Sequence, residues 1–166
     1  GCMSFFPSKN LGGAGDGGLV TCQDEELYER LKMLRMHGGK QRYYHDEVGL
    51  NSRLDSIQAA VLLAKFPYLA AWGARRRELA ALYSAAFAGV AGVTPPPVDP
   101  ANEHIFHQYT IRAERREALL AHLKSRGIGH KVYYPLALHL QPCFEYLGVR
   151  AGGLPITERA TAEVVS

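Results

Sequence analysis

Apolar residues change period several times along the chain, and each change marks an element. Gly18-Leu19-Val20-Thr21-Cys22 is a short apolar, β-branched run that predicts a strand. Leu27, Leu31 and Leu34 then recur at helical spacing. Asp24 stands ahead of them as an N-cap, Glu25 and Glu26 fill the first turn, where the helix dipole favours acids, and Gly38-Gly39 ends the run. Lys40 to Ser52 is a polar loop holding Arg42, Tyr43, Tyr44 and His45, long for a plain connector. The longest periodic stretch runs from about Leu54 to about Ala88, with Leu54, Ile57, Val61, Leu62 and Leu69 as one stripe and Trp72, Leu79, Leu82, Tyr83 and Phe87 continuing it. Pro67 predicts a kink or a split there.

Gly89 to Asn102, with Pro95-Pro96-Pro97 and Pro100, reads as a linker. His104 to Arg112 alternates as a strand, with Ile105, His107, Tyr109 and Ile111 on one face. Glu114 to Arg126 predicts a helix closed by Gly127, and Ile128 to Tyr134 a further strand closed by Pro135. Strand, helix, strand implies a small α/β lobe. A helical turn near Phe144 to Leu147 and a terminal helix from Thr157 to Ser166 complete the reading. No strand is expected ahead of Ser4, and the abrupt ends point to a piece of a longer chain.

Composition narrows the class. The 166 residues are 47% hydrophobic and 21% charged, so the bulk of the chain is expected to fold. The net charge of +3 is mild, and Arg75-Arg76-Arg77 is the one tight basic cluster, read as a solvated helix face rather than a nucleic-acid footprint. Cys2, Cys22 and Cys143 are odd in number and far apart, which argues for free thiols in a reducing compartment. No apolar run reaches the roughly 18 residues of a spanning helix, so no membrane partner is expected.

Chemistry concentrates near the start. Lys9 follows the turn-forming Phe6-Pro7-Ser8 and precedes Gly12, Gly13, Gly15, Gly17 and Gly18, so a lysine is presented from closely approached backbone. In a partly desolvated pocket such a lysine loses proton affinity and attacks carbonyls to form a Schiff base. The glycine run lacks the spacings of a nucleotide P-loop or a dinucleotide turn, and a tight connection to the next strand is the simpler reading. Asn51 and Ser52 either cap the following helix or, with Arg53, form an anion site at its N-terminus. His104, His107, His130 and His139 lie on separate elements without ligand spacing, so no metal is expected.

Taken together, Ser4-Phe5-Phe6-Pro7-Ser8-Lys9-Asn10-Leu11-Gly12, Gly15-Asp16-Gly17-Gly18, Arg42-Tyr43-Tyr44-His45 and Gly49-Leu50-Asn51-Ser52-Arg53-Leu54-Asp55-Ser56-Ile57-Gln58-Ala59-Ala60 resemble the DegT/DnrJ/EryC1/StrS family of pyridoxal-phosphate (PLP) sugar aminotransferases. His104-Ile105-Phe106-His107-Gln108-Tyr109, Val132-Tyr133-Tyr134-Pro135 and Leu138-His139-Leu140-Gln141 fit the same pattern. The resemblance implies an α/β chain with part of the aspartate-aminotransferase-like fold: residues 1–53 as the end of the PLP-binding large domain, 54–88 as a connecting helix kinked near Pro67, and 89–166 as the small C-terminal α/β domain.

It also implies roles. Lys9 would carry PLP as a Schiff base, Ser4 would bond its phosphate, and Asn51 would reach the phosphate of a neighbouring subunit in a homodimer with shared active sites. Arg53 is a candidate for a carboxylate, and His107, Tyr133 and His139 lie in stretches that would line the substrate entrance. A lysine at position 9 favours transamination over the dehydration run by family members with histidine there. The implied activity is cytoplasmic transfer of an amino group from L-glutamate to a nucleotide-linked keto-sugar, at C-3. A C-4 enzyme, or an inactive truncated or regulatory module, is the alternative. The long region that precedes the lysine in complete members, with the aspartate that meets the pyridine nitrogen, is not in this chain.

Overall fold

The computed structural model describes residues 1–166, and the chain divides into two compact units, Gly1–Gly73 and Ala74–Ser166. The division falls inside a helix, not at the linker that the Gly- and Pro-rich stretch marks in the sequence.

The first unit opens with an antiparallel hairpin of β1 (Cys2–Ser4) and β2 (Gly18–Val20), in register Cys2 to Val20 and Ser4 to Gly18. A strand thus does precede the Lys9 stretch. Three residues carry too little alternation to be read as one, and their partner lies beyond the glycine run. Helix α1 (Glu25–Leu34) is capped by Asp24, whose carboxylate accepts the Leu27 N–H at 2.9 Å. The long loop then folds back on the end of α1. Gly38 O accepts from the amides of Asp46 and Glu47, Leu50 N–H donates to Leu34 O, and Met36 bridges to Asn51.

Helix α2 (Ser56–Lys65) gives way to a single 3-10 turn at Phe66–Tyr68, and α3 (Leu69–Phe87) continues from it. Pro67 lies in that turn, where its ring and missing N–H prevent an unbroken α-helix. An 18-residue window within Ser56–Phe87 has a mean hydropathy of 1.2, so this run is long and apolar enough to cross a membrane by length and composition. The expectation drawn from uninterrupted apolar residues missed it, because the run contains isolated polar positions.

The second unit is built on an antiparallel sheet in the order β3 (Val93–Thr94), β4 (Ile111–Ala113), β5 (Val164–Val165). Helices α4 (Arg116–Ser125) and α5 (Pro155–Glu163) pack beside it. Its interior holds Ala80, Ile111, Ala113, Ala137 and Val165. Gly127, at φ +68°, closes α4. Its N–H donates to Lys124 O and that of Ile128 to Leu123 O, a Schellman arrangement that needs a left-handed residue.

Four expectations change here. The linker contains β3. The strand expected over 104–112 survives only as β4, because side chains take the backbone groups before it: His104 Nδ1 accepts the Phe106 N–H at 2.9 Å, and Phe106 sits at φ +46°. Between 128 and 134 only Lys131 makes a ladder-like pair, exchanging backbone bonds with Ser166, while the His130 Nδ1–H donates to Ile128 O. The terminal helix stops at Glu163 and becomes β5, where β-branched Val164 and Val165 join the sheet.

Candidate active site

Lys9 closes a β-turn: its N–H donates to Phe6 O at 2.8 Å, with Pro7 at the second position, where a fixed φ suits such a turn. The glycine run folds against this turn. Gly13 N–H donates to Phe5 O and Phe5 N–H to Gly17 O, each at 2.8 Å. A Cβ on Gly12 would stand 2.7 Å from Phe6 O and nearer still to Pro7 O, so only glycine fits there. The run is therefore a tight connection rather than an open nest of amides. Two side chains of α2 hold it from the far side: Gln58 Oε1 accepts the Ala14 N–H at 2.8 Å, and Lys65 Nζ donates to Gly12 O.

The Lys9 side chain is exposed, and none of the chain's ion pairs uses it or Arg53. The desolvated pocket expected around the amine is thus not formed by these residues alone. Ser4, at the end of β1, accepts the Phe6 N–H through Oγ at 3.2 Å and remains exposed, its hydroxyl proton available to an acceptor. Asn51 does not cap α2. It is the bridge partner of Met36, Ser52 N–H donates to Arg35 O, and Asp55 occupies the N-cap position. Asn51, Ser52 and Arg53 are all exposed. Ser4 and Lys9 are thus joined by one hairpin turn, and Asn51 and Arg53 lie on the approach to the helix that braces it.

The remaining candidates belong to the second unit. His107 is half-buried in the irregular stretch before β4. Arg76 Nη1 donates to the carbonyls of Phe106 and His107 at 3.2 and 3.0 Å, and Arg77 pairs with Glu103 at 2.8 Å. The basic cluster is thus not a purely solvated face; of the three only Arg75 is exposed, paired with Glu78. Tyr109 stacks on Tyr83 at 5.2 Å between ring centroids, and its hydroxyl meets Ser84 Oγ at 2.9 Å. Tyr133 is exposed, on the rim of an open cleft of about 690 Å³ that also takes in Gln108, Lys124, His130 and Lys131.

His139 is buried at 8% exposure, the most enclosed polar residue of the chain. Its Nε2 lies 3.0 Å from Glu158 Oε1; a carboxylate only accepts, so Nε2 carries the proton. Glu158 also accepts from the backbone N–H groups of Gly152 and Leu154. Those bonds, Gly152 first, then His139 and Leu154, hold its carboxyl below the usual carboxylate range. His139 also walls an apolar cleft of about 550 Å³ with Tyr134, Leu136, Phe144 and Leu154. The contacts of Glu158 with His139, of Gln58 and Lys65 with the glycine run, and of Arg76 with the 106–107 carbonyls were not legible in the sequence, since each joins residues 19 or more positions apart. No three His, Cys, Asp or Glu side chains converge as a metal-binding group would.

A turn-mounted lysine behind a glycine run in one unit, and a small α/β sheet in the other, are parts that PLP-type transferase folds contain. The profile of the DegT/DnrJ/EryC1/StrS aminotransferase family matches residues 1–166. The chain belongs to that family. It is 51% identical over 166 residues to a pleiotropic regulatory protein of Geobacillus stearothermophilus, covering 98% of this chain and 44% of the relative. It is 44% identical to the dTDP-3-amino-3,4,6-trideoxy-alpha-D-glucose transaminase of Streptomyces venezuelae, covering 99% and 43%. The crystal structure of S. venezuelae DesV in complex with a ketimine intermediate superimposes with a TM-score of 0.95 at 44% identity, over 99% of this chain and 44% of that one. NtdA from Bacillus subtilis with bound cofactor PMP follows at TM-score 0.85 and 28% identity, over 99% and 40%. The chain thus spans less than half the length of the proteins it matches.

Proposed function

We propose that the whole protein is a PLP-dependent aminotransferase that moves the amino group of L-glutamate onto the keto group of a nucleotide-linked sugar, at sugar C-3. One observation carries the reading: Lys9 stands exposed and without an ion-pair partner on a turn braced by glycines, within a chain matched end to end by an aminotransferase family. The 3-amino sugar in the name of the S. venezuelae relative supports C-3 over C-4.

The donor set fits the cofactor. An amine suits its aldehyde, and a hydroxyl and an amide suit its phosphate. When bound, PLP supplies an electron sink for the carbon that gains or loses the amino group. Lys9, once its amine is free, takes and returns the proton at that carbon. Ser4 donates its hydroxyl to the phosphate, and the Asn51 of each protomer in a homodimer reaches the phosphate held by the other. Arg53, charged at every working pH, suits a carboxylate of glutamate or of an acidic sugar. His107, Tyr133 and His139 belong to the stretches that bound the sugar's entrance, with His139 acting from beneath the surface.

In this reading residues 1–53 complete the large domain, 54–88 connect, and 89–166 form the small domain. A cytoplasmic setting suits three unbridged cysteines and a soluble nucleotide-sugar substrate; neither nucleic acid nor membrane is a partner. The test is turnover by the purified whole protein with L-glutamate and a nucleotide 3-keto-sugar. The expected result is one 2-oxoglutarate per amino-sugar formed, abolished by Lys9→Ala. An amino group found at C-4 would select the other branch, and a protein that takes up no PLP would select a regulatory module.

A further inference from the structure

We propose that Gln58 and Lys65, both on α2, are positioning residues for Lys9. The inference rests on reading Lys9 as the cofactor lysine. The turn that carries Lys9 has one closing backbone bond of its own, Lys9 N–H to Phe6 O. Left at that, it would sample many orientations, and misplacing a reacting group by about 1 Å costs on the order of a hundredfold in rate.

The glycine run supplies the next layer. Gly12 lies directly against the carbonyls of Phe6 and Pro7, so the turn moves only as far as Gly12 does. What then fixes the run? Gln58 and Lys65 are seven residues apart, on one face of α2. They reach residues 44 and 53 positions away in sequence, and they grip the run at two points: Gln58 Oε1 takes the Ala14 N–H, and Lys65 Nζ donates to Gly12 O. The Gln58 amide also fills the space that side chains would need at Gly13 and Gly15, whose Cβ atoms would stand 2.8 and 2.9 Å from Gln58 Oε1 and Nε2. Glycines and glutamine form one interlock, and the helix carries the lysine turn as a rigid attachment. Gln58→Leu removes the first grip and keeps the bulk. Lys65→Met removes the second and keeps the stem. Lys65→Arg restores a donor.

The experiment compares these variants and Lys9→Ala in the whole protein by two readouts. Amide hydrogen exchange at Lys9 and Gly13 needs no cofactor; the pH titration of the visible band of lysine-bound PLP reports the amine's setting. For Gln58→Leu and Lys65→Met we expect exchange at both amides to rise by about tenfold or more. The band's midpoint should move by about half a pH unit or more. Lys65→Arg should return both toward the parent. Parental exchange and titration in the two variants, even with a lowered melting temperature, would overturn the proposal and leave the side chains a packing role. A parent with no band sensitive to Lys9→Ala would instead defeat the reading of Lys9, and the exchange measurement would still decide whether Gln58 and Lys65 hold the turn.

Discussion

Two residues show how environment, rather than identity, sets a role. Lys9 is an exposed amine on a turn braced by the glycine run, Gln58 and Lys65. Glu158 is the opposite case: its carboxylate is held by the Gly152 and Leu154 amides and by His139 Nε2–H. Its folded pKa lies below the ordinary carboxylate value, so its stabilising effect is present above the unfolded pKa and disappears as pH falls through the folded one. Glu158→Gln should therefore lower the urea midpoint most near neutral pH, and the gap to the parent should close toward acid. A gap independent of pH would show that the charge is not what matters. Sequence reading placed His139 at the substrate entrance from its motif alone. The carboxylate that buries it is 19 residues on, at no telling spacing.

Helices announced themselves better than strands. Asp24 and its acidic neighbours cap α1 as their order indicates, and Pro67 interrupts the long run where its chemistry requires. The strands are two or three residues long, too short for alternation to register. The 104–110 stretch alternates like a strand yet is held by Arg76 and, through the Tyr109 hydroxyl, by Ser84 instead of a ladder. Arg76→Met keeps the aliphatic stem and removes two charge-assisted bonds, a loss of about 1.5–3 kcal/mol. In the whole protein it should raise KM for the sugar substrate more than it lowers kcat, since His107 rides on this stretch. Parental stability together with a parental KM would show that Arg76 is dispensable.

The molecule as a whole exposes 12702 Å² at a mass of 18.3 kDa. Two separate globules of half that mass would together show about 9,800 Å². One side of an obligate interface contributes about 1,000–2,500 Å² or more, so the excess of roughly 2,900 Å² matches a large one. No large side chain is wholly enclosed, while Tyr43, Val48, Leu50, Ile57, Leu63 and Phe66 stand open. The 166-residue chain on its own should bind a hydrophobic dye strongly and unfold without a sharp transition. A steep, dye-free melt would show instead that the chain buries its apolar surface on its own. This open surface was not legible in the sequence, because a buried apolar stripe and an exposed one have the same period.

Whether Lys9 is the cofactor lysine is decided by borohydride trapping. The whole protein is incubated with PLP, reduced, digested and mapped by mass spectrometry. A phosphopyridoxyl adduct is expected on Lys9, lost in Lys9→Ala and absent from Lys65 and the other lysines. An adduct elsewhere with Lys9 unmodified, or no stoichiometric adduct at all, would contradict that role.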